Sequence, residues 1–129
     1  MSTDAKPAQK ILIADDDLEI LALLRRHLSK KGLEIVEASD GEEALRLARE
    51  EKPTIVILDV MMPGKSGWEV CRDIREDEEL EATRVIMLTG IGERLNEMTS
   101  PLYGADAHLD KPFDFADLDE VLADFLGET

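Results

Sequence analysis

At 129 residues and 43% hydrophobic composition, the chain is about the size of one domain and carries enough apolar material for one sizeable core. Thirty Asp and Glu stand against fifteen Lys and Arg, a formal net charge of −15, which disfavours phosphate backbones and anionic headgroups and so excludes nucleic acid and membrane as natural partners. The single cysteine, Cys71, excludes an internal disulfide, no Cys or His spacing suits a metal, and no apolar run nears the roughly 20 residues of a membrane span; the expected compartment is the reducing cytosol.

Residues 1–9 are polar and read as a short flexible tail, with one folded unit expected over 10–127. Lys10 to Ala14 is a short apolar run that ends in three acids, the pattern of a buried strand followed by a loop. From Leu18 the period changes: Leu21, Leu24 and Leu28 recur every three or four positions, with Asp16 or Asp17 as N-cap and Gly32 closing an amphipathic helix. Leu33 to Ala38 reads as a second strand, Ser39 or Asp40 as the next cap, and Glu42 to Glu51 as a helix with Ala44, Leu45 and Ala48 inward.

Thr54 to Leu58 is the most continuously apolar run, and therefore the candidate for a central strand covered on both faces. After a Met62-Pro-Gly64 turn, Trp68 starts a helix as a partly buried anchor, and Val70 and Ile74 form its inner face up to about Arg75. Val85 to Leu88 is a fourth strand. A further helix follows, with Pro101 late in it, where a missing backbone donor bends or ends it. Ala107 to Leu109 forms a short fifth strand, and a last helix capped by Asp114 turns Leu118, Val121, Leu122 and Phe125 inward and stops at Gly127. Strands alternating with helices call for right-handed crossovers and a parallel sheet covered on both faces, whose functional residues gather at the carboxyl ends of the strands.

Four features fall at those ends: Asp15 and Asp16 after the first strand, Asp59 after the third, Thr89 after the fourth and Lys111 after the fifth. Three carboxylates crowd together only if a cation offsets their repulsion, and hard oxygen donors without Cys or His select Mg²⁺ or a similar ion. Mg²⁺ keeps open positions that phosphate oxygens complete, so the site suits a phosphoryl group. Asp59, alone at the end of the most buried strand, is the nucleophile candidate, and Asp15 and Asp16 are the metal-holding pair. The ammonium of Lys111 would neutralise charge on the transferring group while the hydroxyl of Thr89 donates to its oxygens. Singly, each residue is as well explained by a cap, a turn or solvation. Four independent accidents at four strand ends of one sheet are a poorer explanation than one site.

The motifs Ile11-Leu-Ile-Ala-Asp-Asp-Asp17, Leu58-Asp-Val-Met-Met-Pro-Gly64, Met87-Leu-Thr-Gly90, Gly104-Ala-Asp106 and Lys111-Pro-Phe113 resemble the receiver domains of two-component response regulators, along residues 10–126. The resemblance implies a flavodoxin-like (βα)5 doubly wound, five-stranded parallel sheet in the order 2-1-3-4-5. It implies phosphorylation of Asp59, direct Mg²⁺ ligation by Asp16 and Asp59, a mainly water-mediated part for Asp15, and a backbone carbonyl ligand from Met61. Thr89 and Lys111 would contact the phosphoryl group, and the Lys111-Pro112 bond is expected to be cis. The phosphoryl donor would be a partner histidine kinase or histidine phosphotransfer protein, and the output a protein–protein contact.

One position departs from the family pattern. The family usually places Tyr or Phe three residues before the lysine, where it follows the hydroxyl residue inward and works as part of the switch; this chain has His108. An imidazole taking that path would enter more readily neutral than charged. His27, next to Arg25 and Arg26, reads as a solvated residue favourable to the helix C-terminus, and Cys71 as core filler. Other functions fit less well. A haloacid-dehalogenase-type phosphatase has its Asp-x-Asp first and its acidic pair last, whereas here Met61 occupies the position of its general acid. A flavodoxin needs a phosphate-binding loop where Asp15, Asp16 and Asp17 stand, and an unphosphorylated scaffold would leave the full residue set without purpose.

Overall fold

The computed structural model describes residues 9–89 and 104–127. Its strands are β1 (Lys10–Ala14), β2 (Glu34–Ala38), β3 (Ile55–Asp59), β4 (Arg84–Thr89) and β5 (Ala107–Asp110), all parallel, in the order β2-β1-β3-β4-β5. This is the flavodoxin-like order that the family resemblance implied. β3 is buried at every residue because it lies between β1 and β4 and is covered from above and below, as its unbroken apolar run requires.

Alternate residues of each strand feed two cores. Ile11, Ile13, Ile57 and Leu88 face α1 (Leu18–Ser29) and the C-terminal helix (Phe115–Leu126). Leu12, Leu58 and Met87 face α2 (Gly41–Glu51) and α3 (Gly67–Glu76). Among the described residues no helix is long and apolar enough to cross a membrane.

The helix starts resolve the open choices. Asp17 caps α1 by accepting from the Glu19 N–H at 2.9 Å, and Asp40 caps α2 by accepting from the Glu43 N–H at 2.8 Å. Asp16 is left free for other work. α3 begins earlier than the apolar pattern suggests, because Ser66 and Glu69 form a reciprocal capping box.

α1 ends at Ser29, with Lys30 still right-handed, and the chain reaches Gly32 only after a further turn, so Gly32 lies beyond the helix. Trp68 is buried more deeply than a partly buried anchor would be, with 8% of its surface exposed. His27 is also not simply solvated: its ring stacks on Phe115 at 4.1 Å, and Nε2 lies 2.8 Å from Asp119. Those partners lie in the C-terminal helix, which the sheet topology lays beside α1 and which a reading of local sequence does not supply. The helix expected around Pro101 lies outside the described residues.

Candidate functional site

Asp15 directly follows β1, Asp59 ends β3, Thr89 ends β4 and Lys111 directly follows β5, so crossover topology delivers four sequence-distant side chains to one edge of the sheet. Asp15 is wholly buried and Asp59 nearly so, whereas Asp16 is exposed at the rim. Asp15 Oδ1 accepts from the Asp17 N–H at 2.9 Å, which fixes its carboxyl in the loop that also starts α1. Asp15, Asp16 and Asp59 each offer one oxygen, and these oxygens lie within 4.8 Å of one another.

Lys111 reaches into this acidic crevice. Its Nζ lies 2.9 Å from Asp59 Oδ1 and 3.0 Å from Asp15 Oδ2. The Lys111-Pro112 peptide bond is cis, as the family resemblance implied. The Asp59 carboxyl is pushed up to about 6, chiefly by burial, with the bond from Lys111 opposing the rise and the charges of Asp15 and Asp16 adding to it. Burial also opposes charge on Lys111, yet its two carboxylate partners outweigh that and hold the ammonium above its ordinary range. One cation therefore compensates three carboxylates only in part. An all-oxygen donor set with uncompensated negative charge fits a hard divalent ion such as Mg²⁺.

Thr89 is buried at the end of β4. Its hydroxyl is 3.2 Å from Asp110 Oδ1 and 3.4 Å from the Leu109 carbonyl oxygen. The Met61 side chain is exposed on the loop after β3. His108 sits in the middle of β5 opposite Met87, half-buried, with its ring centroid 5.8 Å from that of Trp68. Although β5 is the outer strand of the sheet, His108 is thus packed against Trp68 of α3.

Two glycines shape the loop behind Asp59, and the sequence reading did not single them out. A Cβ on Gly67 would lie 2.2 Å from the Asp59 carbonyl oxygen, and one on Gly41 1.9 Å from the Lys65 carbonyl oxygen. The Gly67 N–H also donates to the Val60 carbonyl at 2.8 Å. α3 can approach the nucleophile candidate this closely only because residue 67 has no side chain. A glycine inside the first turn of a helix, where it weakens helix propensity, was the available signal.

The chain is similar to proteins of known type. The model of the response regulator receiver domain matches residues 11–123. A probable transcriptional regulator, ycf27, of Guillardia theta is 40% identical over 129 residues, spanning all of this chain and 50% of its own length. The alkaline phosphatase synthesis transcriptional regulatory protein PhoP of Bacillus subtilis is 40% identical over 105 residues, 81% of this chain and 43% of its own length. The chain thus spans about half the length of the curated relatives it matches.

Among solved structures, a putative response regulator from Chloroflexus aurantiacus superposes with a TM-score of 0.87 at 30% identity, covering 95% of this chain and 100% of that one. The chemotaxis protein CheY4 of Vibrio cholerae gives 0.85 at 29% identity, with 92% and 99% covered. Because the family match runs from the first buried strand into the C-terminal helix and the strand order agrees with it, the chain belongs to the response regulator receiver domain family.

Proposed function

We propose that this receiver, over residues 10–127, accepts a phosphoryl group on Asp59 from the phosphohistidine of a partner histidine kinase or histidine phosphotransfer protein, and signals by protein–protein contact. The observation that carries the reading is the position of Asp59. It is a buried carboxylate at the end of the central strand, 2.9 Å from the Lys111 ammonium and beside two further carboxylates.

In the transfer, an Asp59 oxygen attacks phosphorus, the phosphorus–nitrogen bond of the donor breaks, an acyl phosphate forms, and the departing imidazole keeps the electron pair and takes up a proton. Lys111 neutralises charge on the phosphoryl oxygens and Thr89 donates a hydrogen bond to one of them. Asp16 and Asp59 would hold Mg²⁺ directly, with Asp15 acting mainly through water and Met61 through its backbone carbonyl. When bound, the ion supplies Lewis-acid stabilisation of the transferring group and offsets carboxylate repulsion.

The same residues would assist hydrolysis of the acyl phosphate, so the chain promotes its own phosphorylation and dephosphorylation without being an enzyme that turns over a separate substrate. His108 is proposed to relay the movement of Thr89 to β5 and its neighbours. The compartment proposed is the cytoplasm, where kinase and reducing conditions coincide. Two relatives named as transcriptional regulators are about twice as long, so any DNA contact by a longer protein of this type would lie outside this acidic domain.

The test is incubation with acetyl phosphate and Mg²⁺, followed by intact mass measurement. One phosphoryl group should be added to the native chain and none to Asp59→Ala. Equal labelling of that variant would place the acceptor elsewhere.

A further inference from the structure

The strand-end chemistry described above uses Asp15, Asp16, Asp59, Thr89 and Lys111, but leaves one acid at the same edge without a role. Asp110 is the last residue of β5, exposed, and in register directly opposite Thr89, the last residue of β4. Side chains opposite one another in adjacent strands emerge on the same face of the sheet, so the carboxylate and the hydroxyl meet.

A threonine hydroxyl has one proton to donate. Of its two acceptors here, Asp110 Oδ1 is nearer at 3.2 Å and carries charge, whereas the Leu109 carbonyl oxygen at 3.4 Å is neutral, so the carboxylate is the stronger claimant. The backbone beneath is held, because the Lys111 N–H donates to the Thr89 carbonyl at 2.7 Å. Thr89 can therefore change partner by side-chain rotation without parting the strands.

We propose that Asp110 is a positioning residue that retains the Thr89 hydroxyl in the resting state and competes for it with the phosphoryl oxygens once Asp59 is modified. The inference rests on the reading of Asp59 as phosphoacceptor. Neighbouring residues 110 and 111 then act in opposition: Lys111 draws the phosphoryl group in, and Asp110 withholds the donor that completes its binding. Exposure of Asp110 keeps the competition reversible, since water replaces the hydroxyl when Thr89 leaves. The effect is a threshold, set by the difference between two hydrogen bonds to one proton.

The experiment is calorimetric titration of the intact chain with beryllofluoride in the presence of Mg²⁺, for the native protein, Asp110→Ala, Thr89→Ala and the double variant. Asp110→Ala should tighten binding by about three- to tenfold, the span of one net hydrogen bond. In the Thr89→Ala background the same substitution should change nothing. Asp110→Asn, isosteric and still an acceptor but uncharged, should fall between native and Asp110→Ala, and its preserved shape guards against a folding artefact.

Equal tightening in both backgrounds, fading with added salt, would show simple charge repulsion and overturn the proposal. Unchanged affinity in Asp110→Ala would overturn it as well. Failure of the native chain to bind beryllofluoride at all would be evident before any variant is compared, and would remove the phosphoacceptor reading along with this one.

Discussion

At the residue scale, the three carboxylates of the crevice differ in kind although they share a charge. Asp15 and Asp59 are buried and bonded to Lys111, so either one lost leaves the ammonium with a single partner. Asp16 is exposed, offers an oxygen to the same cluster and adds to the negative potential at Asp59. Asp16→Ala should weaken Mg²⁺ binding, measured by calorimetry, by about tenfold or more, since it removes one of the proposed charged oxygen ligands of a small hard-ion site. The same variant should be no less stable than the native chain in urea without metal, because a source of repulsion is gone. Unaltered Mg²⁺ affinity would place the ion elsewhere. The Asp pair was legible in the sequence, and the family resemblance already implied different roles for its two members, but that Asp15 is buried and Asp16 exposed was not, because it depends on which side chain the turn after β1 directs inward.

At the element scale, α3 is positioned by a conflict between local and tertiary preference. Helix propensity alone predicts that Gly67→Ala stabilises the chain by up to about 1 kcal/mol. The added methyl would instead meet the Asp59 carbonyl at 2.2 Å and the end of the Met87 side chain at 2.9 Å. We expect Gly67→Ala to destabilise the chain by about 1–3 kcal/mol in urea unfolding, as overpacking does, and to slow labelling by acetyl phosphate because the residue displaced is the proposed phosphoacceptor. A rise in stability with unchanged labelling would mean that α3 does not bear on the site as described. The sequence put the start of α3 at Trp68, one residue from the observed Gly67, but not the Ser66–Glu69 capping box that fixes it, because that signal runs through backbone hydrogen bonds and not through an apolar stripe.

At the scale of the whole molecule, the net charge is −15, and among the described residues the cation that reaches the carboxylates of the site is the partly buried Lys111. Such a surface favours solubility and disfavours polyanions. In an electrophoretic mobility assay this chain alone should leave duplex DNA unshifted even at low salt, where electrostatic binding is strongest. A shift that weakened steeply with salt would reveal a basic surface that the net charge conceals. The two relatives named as transcriptional regulators are not at odds with this expectation, since about half of their length lies beyond the match.

The sequence by itself determined the alternation of strands and helices, the central place of the run Thr54 to Leu58, which the structure sets one residue later as Ile55–Asp59, and the position of Asp15, Asp16, Asp59, Thr89 and Lys111 at or just beyond strand ends, because burial pattern and strand-end position are local properties that a parallel fold brings to one edge. Only the tertiary structure decided that His27 stacks on Phe115 and pairs with Asp119, that His108 packs against Trp68, that Gly67 admits α3 to the back of Asp59, and that Asp110 holds the Thr89 hydroxyl. The Gly67 contact depends on the path of the loop between β3 and α3, and the others join elements far apart in the chain or depend on cross-strand register, where a shift of one residue would turn every side chain of β5 to the opposite face.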